Sequence, residues 1–226
     1  MTEIVIIDQD DTLWNFLNAH IASYERIFPY IYGVEGYRFE KDVGIGGTTR
    51  LSIRNVLTSR GFDDQDITAK LQTAEEFMAG VMRSELQTRN GNPGVFPGAK
   101  ELLYELIKAG CLPVVGTGTS KVISREILTH TGIDAYFQTG AFGCEANDRA
   151  GVFRLALQRA QELNGSGKVY VIDYSIKGIE AARVIDARSI AVRSGRQKDQ
   201  LPQHNPDAIF ESVAEYKRII DYILSN

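Results

Sequence analysis

Three apolar runs, each ending in a side chain able to do chemistry, constrain the fold of this chain most. Glu3-Ile4-Val5-Ile6-Ile7-Asp8 and Lys168-Val169-Tyr170-Val171-Ile172-Asp173 close on an acid, and Leu112-Pro113-Val114-Val115-Gly116-Thr117 closes on a hydroxyl. Continuous apolar runs suit strands of a parallel sheet covered on both faces by helices. Ser189-Ile190-Ala191-Val192 and Asp207-Ala208-Ile209-Phe210 predict two more strands. The intervening segments carry helical periodicity. In 99–110 the stripe is Ala99, Leu102, Leu103, Leu106 and Ile107, stopped by Gly110. Residues 152–163 and 179–185 read likewise. Ser212-Val213-Ala214-Glu215 reads as a capping box opening a last helix that buries Tyr216, Ile219, Ile220 and Ile223. Strand and helix alternate without repeats, which predicts a doubly wound, Rossmann-like α/β core.

One stretch departs from this pattern. Residues 14–95 look mostly helical and carry no central strand. They are bracketed by the first strand and by the turn-rich Asn90-Gly91-Asn92-Pro93-Gly94. The expected organisation is a core of residues 1–13 and 97–226 with a helical cap, 14–96, inserted after strand one. Gly44-Ile45-Gly46-Gly47-Thr48-Thr49-Arg50 is expected to be a flexible loop between cap helices, and 195–206 a long surface loop.

Composition narrows the function classes. The chain has 226 residues, 43% hydrophobic and 24% charged, with net charge −4. This is ordinary for a globular protein. No basic stripe points to nucleic acid, and no apolar run is long enough for a membrane span. Met1-Thr2-Glu3 lacks the basic region and long apolar stretch of a signal peptide, so the expected location is cytoplasmic. Cys111 and Cys144 have no paired spacing, and His20, His130 and His204 are scattered. Neither a disulfide framework, a zinc site nor a histidine metal cluster is read. The oligomeric state is left open.

Ligands of open α/β sheets bind beyond the carboxyl ends of the strands, where Asp8, Thr117 and Asp173 would converge. In Asp8-Gln9-Asp10-Asp11-Thr12 two acids stand two residues apart just after a strand. One carboxylate can attack phosphorus, and the other can protonate a leaving group and then activate water. Two acids together also attract a divalent cation. The same residues equally suit a turn with a helix cap.

Residues 4–13 closely resemble the first motif of the haloacid dehalogenase superfamily, an apolar strand followed by Asp-x-Asp-x-Thr-Leu. The resemblance implies Asp8 as nucleophile and Asp10 as general acid/base. Dehalogenases proper usually carry tyrosine at the second acid, so Asp10 points to phosphate chemistry. Val114-Val115-Gly116-Thr117-Gly118, preceded by Phe96-Pro97-Gly98-Ala99, is similar to the second motif and implies phosphate binding by the Thr117 hydroxyl and the Gly118 amide. Glu145-Ala146-Asn147-Asp148-Arg149-Ala150 resembles members with Asp-Arg before the next helix. It makes Arg149 the candidate for the motif's cation, the alternative being a solvated arginine at a helix start. Lys168, at the start of a strand, should lie at the opposite edge.

The fourth motif, typically Gly-Asp-Ser/Thr-x-x-Asp-Ile-Glu-Ala-Ala, supplies acids to Mg²⁺. Here it reads Ile172-Asp173-Tyr174-Ser175-Ile176-Lys177-Gly178-Ile179-Glu180-Ala181-Ala182. Aligned without a gap, Tyr174 and Gly178 stand where the acids belong. With one extra loop residue, Asp173 takes the first acid's place. The resemblance then implies a Mg²⁺ site from Asp8, Asp10 and Asp173. Lys177 is either a partial substitute for the cation's charge or an exposed loop lysine. Arg50 and Arg54 either meet an anionic substrate or sit on a solvated helix face.

The implied activity is Mg²⁺-dependent hydrolysis of a small phosphorylated substrate through an aspartyl-phosphate. The alternatives are a catalytically impaired relative binding a phosphorylated ligand or a protein partner, a phosphomutase, and a dehalogenase.

Overall fold

The structure, a computed structural model, describes residues 2–39, 46–88, 94–163 and 166–226. Six parallel strands form one sheet: β1 (Ile4–Ile7), β2 (Leu112–Thr117), β3 (Gly140–Phe142), β4 (Val169–Asp173), β5 (Arg188–Val192) and β6 (Ala208–Phe210), in the order β3-β2-β1-β4-β5-β6. The order reverses at β1, which pairs with β2 and β4. That switch point is where such sheets open a crevice beyond the strand ends.

Successive residues of β1 face opposite layers. Val5 and Ile7 pack with Leu102, Leu103 and Leu106 of α4 (Ala99–Lys108) and with Ile219 and Ile223 of α8 (Tyr216–Ser225). Ile4 and Ile6 pack with Phe153 and Ala156 of α6 (Arg149–Leu163) and Ala181 and Ala182 of α7 (Ile176–Val184). Both layers are closed, which is why the run shows no polar alternation. Truncating a wholly buried Ile6 to alanine is worth about 2–5 kcal/mol.

The insertion between β1 and α4 is helical: α1 (Leu17–Ile27), a π-helical turn (Phe28–Tyr32), α2 (Thr49–Thr58) and α3 (Asp64–Gln87). Side chains fix two of these starts, Thr48 accepting from the Leu51 amide (3.2 Å) and Asp63 from the Asp66 amide (2.8 Å). α3 packs on α5 (Lys121–Thr131), with Arg83 paired to Glu126 across the contact. The chain enters and leaves the insertion side by side. The Asn15 amide donates to the Gly94 carbonyl (3.0 Å) and the Phe96 amide to the Leu13 carbonyl (2.9 Å).

Some expectations change. β3 is an edge strand of three residues, too short to leave a pattern in the sequence. α6 starts at Arg149 and α7 at Ile176, each a turn earlier than the apolar stripe predicts. The expected flexible loop is shorter, since Thr49 and Arg50 are already in α2; Gly44 and Ile45 lie outside the described residues, as do Asn90 to Pro93 of the turn-rich return. The 195–206 loop holds a 3₁₀ turn (Leu201–His204) anchored by buried Leu201. Ser212 caps a 3₁₀ turn, while Glu215 accepts from the Glu211 amide (2.7 Å) and not from Ser212, so no capping box closes. Among the described residues, no helix is long and apolar enough to cross a membrane.

Candidate active site

The segment after β1 points alternate side chains in opposite directions. Buried Gln9 accepts from the Ser124 hydroxyl (2.7 Å), while Asp8 and Asp10 face one cavity of about 100 Å³. Asp11 holds the turn with φ +55°, its carboxylate accepting from Asn15 (2.6 Å). A side chain bonded locally is what allows a residue other than glycine to stay left-handed. Thr117 and Gly118, past the end of β2, line the same cavity, as does Arg149. Asp173 does not: it lies behind Arg149.

Arg149, the first residue of α6, is buried and donates to Asp8 Oδ1 (2.9 Å) and to Asp173 Oδ2. Its guanidinium also lies over the Phe153 ring, 5.0 Å from the centroid. The other Asp173 oxygen accepts from the Ser175 amide and hydroxyl (both 2.8 Å), and Ser175 in turn caps α7 by accepting from the Gly178 amide (3.1 Å). Asp8 Oδ2 accepts from Thr12 (3.2 Å). Burial pushes the Asp8 carboxyl up to about 8, with Asp173 and Asp10 adding to the rise against the pull of Arg149.

Asp10 has a separate set of partners. Its Oδ1 accepts from the Trp14 indole (3.0 Å) and contacts His20 Nε2 (2.9 Å), and its Oδ2 accepts from the Thr119 hydroxyl (2.7 Å). Burial acts to raise Asp10, but the charge and hydrogen bond of His20, with those of Thr119 and Trp14, outweigh it and hold the carboxyl below its usual range. Burial acts to lower His20, and Asp10 outweighs it, so the imidazole is raised. Both shifts favour the ion pair of Asp10 carboxylate with His20 imidazolium. His20, Trp14 and Thr119 were not among the residues singled out from the sequence. The available signal was position: His20 stands one turn into the helix that follows the Asp10 loop.

The insertion closes the cavity. The Thr49 amide donates to the Gly118 carbonyl (2.8 Å), and Thr49 Oγ1 accepts from the Ser120 amide (3.1 Å). Gly118 is required there, because a Cβ would stand 2.1 Å from the Gly47 carbonyl oxygen. Phe16, Leu17, Tyr24 and Phe39 give the roof an apolar surface. Arg50 does not face the cavity. It makes a two-pronged contact with Glu75 (3.0 and 3.1 Å), and Arg54 pairs with Asp64 (2.6 Å) and Thr68 (2.9 Å). Lys177 is exposed on the first turn of α7 and does not line the cavity. Lys168 precedes β4 at the opposite edge of the sheet.

A Rossmann-like sheet with an aspartate beyond its central strand, roofed by a helical insertion, defines a class of capped α/β proteins. The family model of haloacid dehalogenase-like hydrolases matches residues 2–186, and the chain belongs to that family. Solved structures share the fold at low identity. One is a beta-phosphoglucomutase from Clostridium difficile (17% identity, TM-score 0.76, 100% of this chain and 98% of that one). Another is a predicted phosphatase from Clostridium acetobutylicum (20%, 0.69, 98% and 99%). A third is a hydrolase from Pseudomonas syringae (17%, 0.74, 99% and 99%). No curated protein matches the chain.

The family is typically Mg²⁺-dependent. Mg²⁺ demands a near-octahedral oxygen shell. Of the donors expected to supply it, the Asp8 and Asp173 carboxylates are bridged by a guanidinium, and Asp10 would bring only its backbone carbonyl, its carboxylate being turned to Trp14, His20 and Thr119. The next two positions of the motif offer a phenol and a glycine. Among the described residues no three acids, histidines or cysteines converge on one point. This donor set does not fit Mg²⁺.

Proposed function

We propose that this protein hydrolyses small phosphate esters through an aspartyl-phosphate on Asp8. The observation that carries this reading is one cavity holding the strand-end Asp8, the Asp10–His20 pair, the Thr117–Gly118 turn and Arg149. The phosphate would lie between Arg149 and the turn, with the ester carbon skeleton under the apolar roof.

An Asp8 oxygen attacks phosphorus, and the bond from phosphorus to the ester oxygen breaks. The departing alkoxide takes the proton held by the Asp10–His20 pair. Water then attacks the acyl phosphate and gives a proton back to that pair. Phosphate leaves and the Asp8 carboxylate is restored. Arg149 stabilises charge on the transferring group, and it needs no reorganisation because Asp173 and Phe153 already hold it. The closed roof keeps bulk water from the intermediate.

The test is turnover of a phosphate-ester panel by the wild type and Asp8→Asn, with mass spectrometry of the acid-quenched protein. Turnover and an aspartyl-phosphate, both lost in Asp8→Asn, are expected. Activity that survives Asp8→Asn rejects the nucleophile. A second reading, a phosphate-binding relative without turnover, is favoured by one observation, both Asp10 oxygens being engaged by Trp14, His20 and Thr119. Phosphate binding with no turnover of any ester would establish it.

A further inference from the structure

We propose that this site binds and transfers phosphate without a divalent cation, with Arg149 as its one fixed cation and the Tyr174 hydroxyl standing where the ungapped motif puts a metal-binding acid. The inference rests on the phosphate-ester reading above.

The first observation is the arginine clamp. Arg149 is buried, bridges Asp8 and Asp173, and is stacked on Phe153. A fixed cation therefore already sits against the Asp8 carboxylate. The second is the fate of the fourth-motif acids. A Cβ at Gly178 would lie 2.0 Å from Asp173 Cγ. The volume of an acid at position 178 is thus filled by the carboxylate of Asp173, which faces away from the cavity and is saturated by Arg149 and Ser175.

The third observation is Tyr174, which lines the cavity in the position that the ungapped alignment gives to the first acid. Its ring is held against Gly195, where a Cβ would stand 2.0 Å from the ring edge, so the ring occupies space that only glycine leaves. A neutral phenol is a poor Mg²⁺ ligand but a good donor to a phosphate oxygen. Arg149, the Thr117 hydroxyl, the Gly118 amide and Tyr174 then face the anion together. They supply one full charge and several fixed donors, the kind of preorganised set that stabilises a transferring phosphoryl group.

The experiment uses the full chain stripped with EDTA. Titration calorimetry measures Mg²⁺ alone, then inorganic phosphate and vanadate with EDTA or with millimolar Mg²⁺, and hydrolysis of para-nitrophenyl phosphate is followed in the same buffers. Expected are no Mg²⁺ binding that depends on Asp8, and anion affinity and turnover that agree within about twofold between the two buffers. Tyr174→Phe should weaken the anion by about tenfold, and Tyr174→Asp should make binding and turnover sensitive to EDTA, with circular dichroism reporting that both variants fold. Mg²⁺ tightening the anion by about tenfold or more in the wild type, with the effect lost in Asp8→Asn, overturns the proposal. Anion binding that ignores Mg²⁺ with no turnover in either buffer sinks the phosphatase reading and leaves metal-free binding standing. No anion binding in either buffer overturns both.

Discussion

The carboxylate of Asp173 occupies the space that a side chain on Gly178 would need. The two residues are five positions apart, on the last residue of β4 and in the first turn of α7. Their contact aims one Asp173 oxygen at Ser175 and the other at Arg149.

Gly178→Ala should therefore disrupt the site although it adds one methyl group. Asp173 must leave Arg149 or Ser175, and breaking a buried ion pair typically costs about 3–5 kcal/mol. Thermal unfolding and phosphate affinity should both fall. Gly80→Ala is the control: its Cβ meets nothing within 4 Å in the middle of α3, so stability should rise by about 0.5–1 kcal/mol.

Removing the clamp itself has a pH signature. Arg149→Met leaves Asp8 and Asp173 buried without their cation, which should destabilise the fold by about 3–5 kcal/mol near pH 8. Against the rise from burial, Arg149 pulls the Asp8 value down to about 8, so without it Asp8 takes up its proton at a higher pH, and the deficit should shrink as pH falls through about 8. Denaturant unfolding across that range measures it. A deficit that grows on acidification contradicts the assignment.

Activity should follow two protonation states. Asp8 attacks only as a carboxylate, so kcat/KM should fall by about tenfold per pH unit below its value of about 8. The proton for the leaving group is lost as pH rises through the raised His20 value. The result is a bell, and His20→Gln should flatten its alkaline limb while leaving the acid limb in place.

The same pair contributes to stability. Asp10 is depressed, so its contribution is present above the ordinary 3.8 and is lost as pH falls through the lowered value. His20 is raised, so its contribution is full below 6.5 and is lost as pH rises through the raised value. These are two views of one interaction. His20→Gln should cost about 1–3 kcal/mol at pH 6, and less above pH 8, by thermal unfolding.

Gly118→Ala tests closure. Its methyl group would collide with the Gly47 carbonyl and hold the insertion off the core. A rise in KM and a fall in kcat of about tenfold or more are expected, with little change in circular dichroism.

The strand ends were legible because burial on both sides leaves an unbroken apolar run, and the last residue of such a run stands at the sheet edge. That places Asp8, Thr117 and Asp173 from sequence alone. Arg149 was legible only through its place in a motif, since nothing in Asn147-Asp148-Arg149 says that the guanidinium turns inward. His20, Thr119 and Thr49 were not legible. His20 and Thr49 reach the cavity through the angle at which the insertion meets the core, and helical periodicity carries no record of that angle; Thr119 stands in the core turn two residues past Thr117, with nothing in its residue type to mark it. Arg50 shows the converse: a cation in the first turn of α2, next to the cavity-lining Thr49, is drawn off by Glu75, 25 residues away.

The two hydrogen-bonded crossings between insertion and core have a consequence for how the enzyme rests. Leu13–Phe96 and Asn15–Gly94 join the insertion to the core as a short hydrogen-bonded ribbon. His20 rides on α1 within the insertion, whereas Asp10 belongs to the core. A swing about that ribbon that lifted Thr49 from Gly118 would therefore also draw His20 away from Asp10. On the proposed mechanism such an open molecule would be disarmed, and closure over the substrate would bring with it the proton for the leaving group.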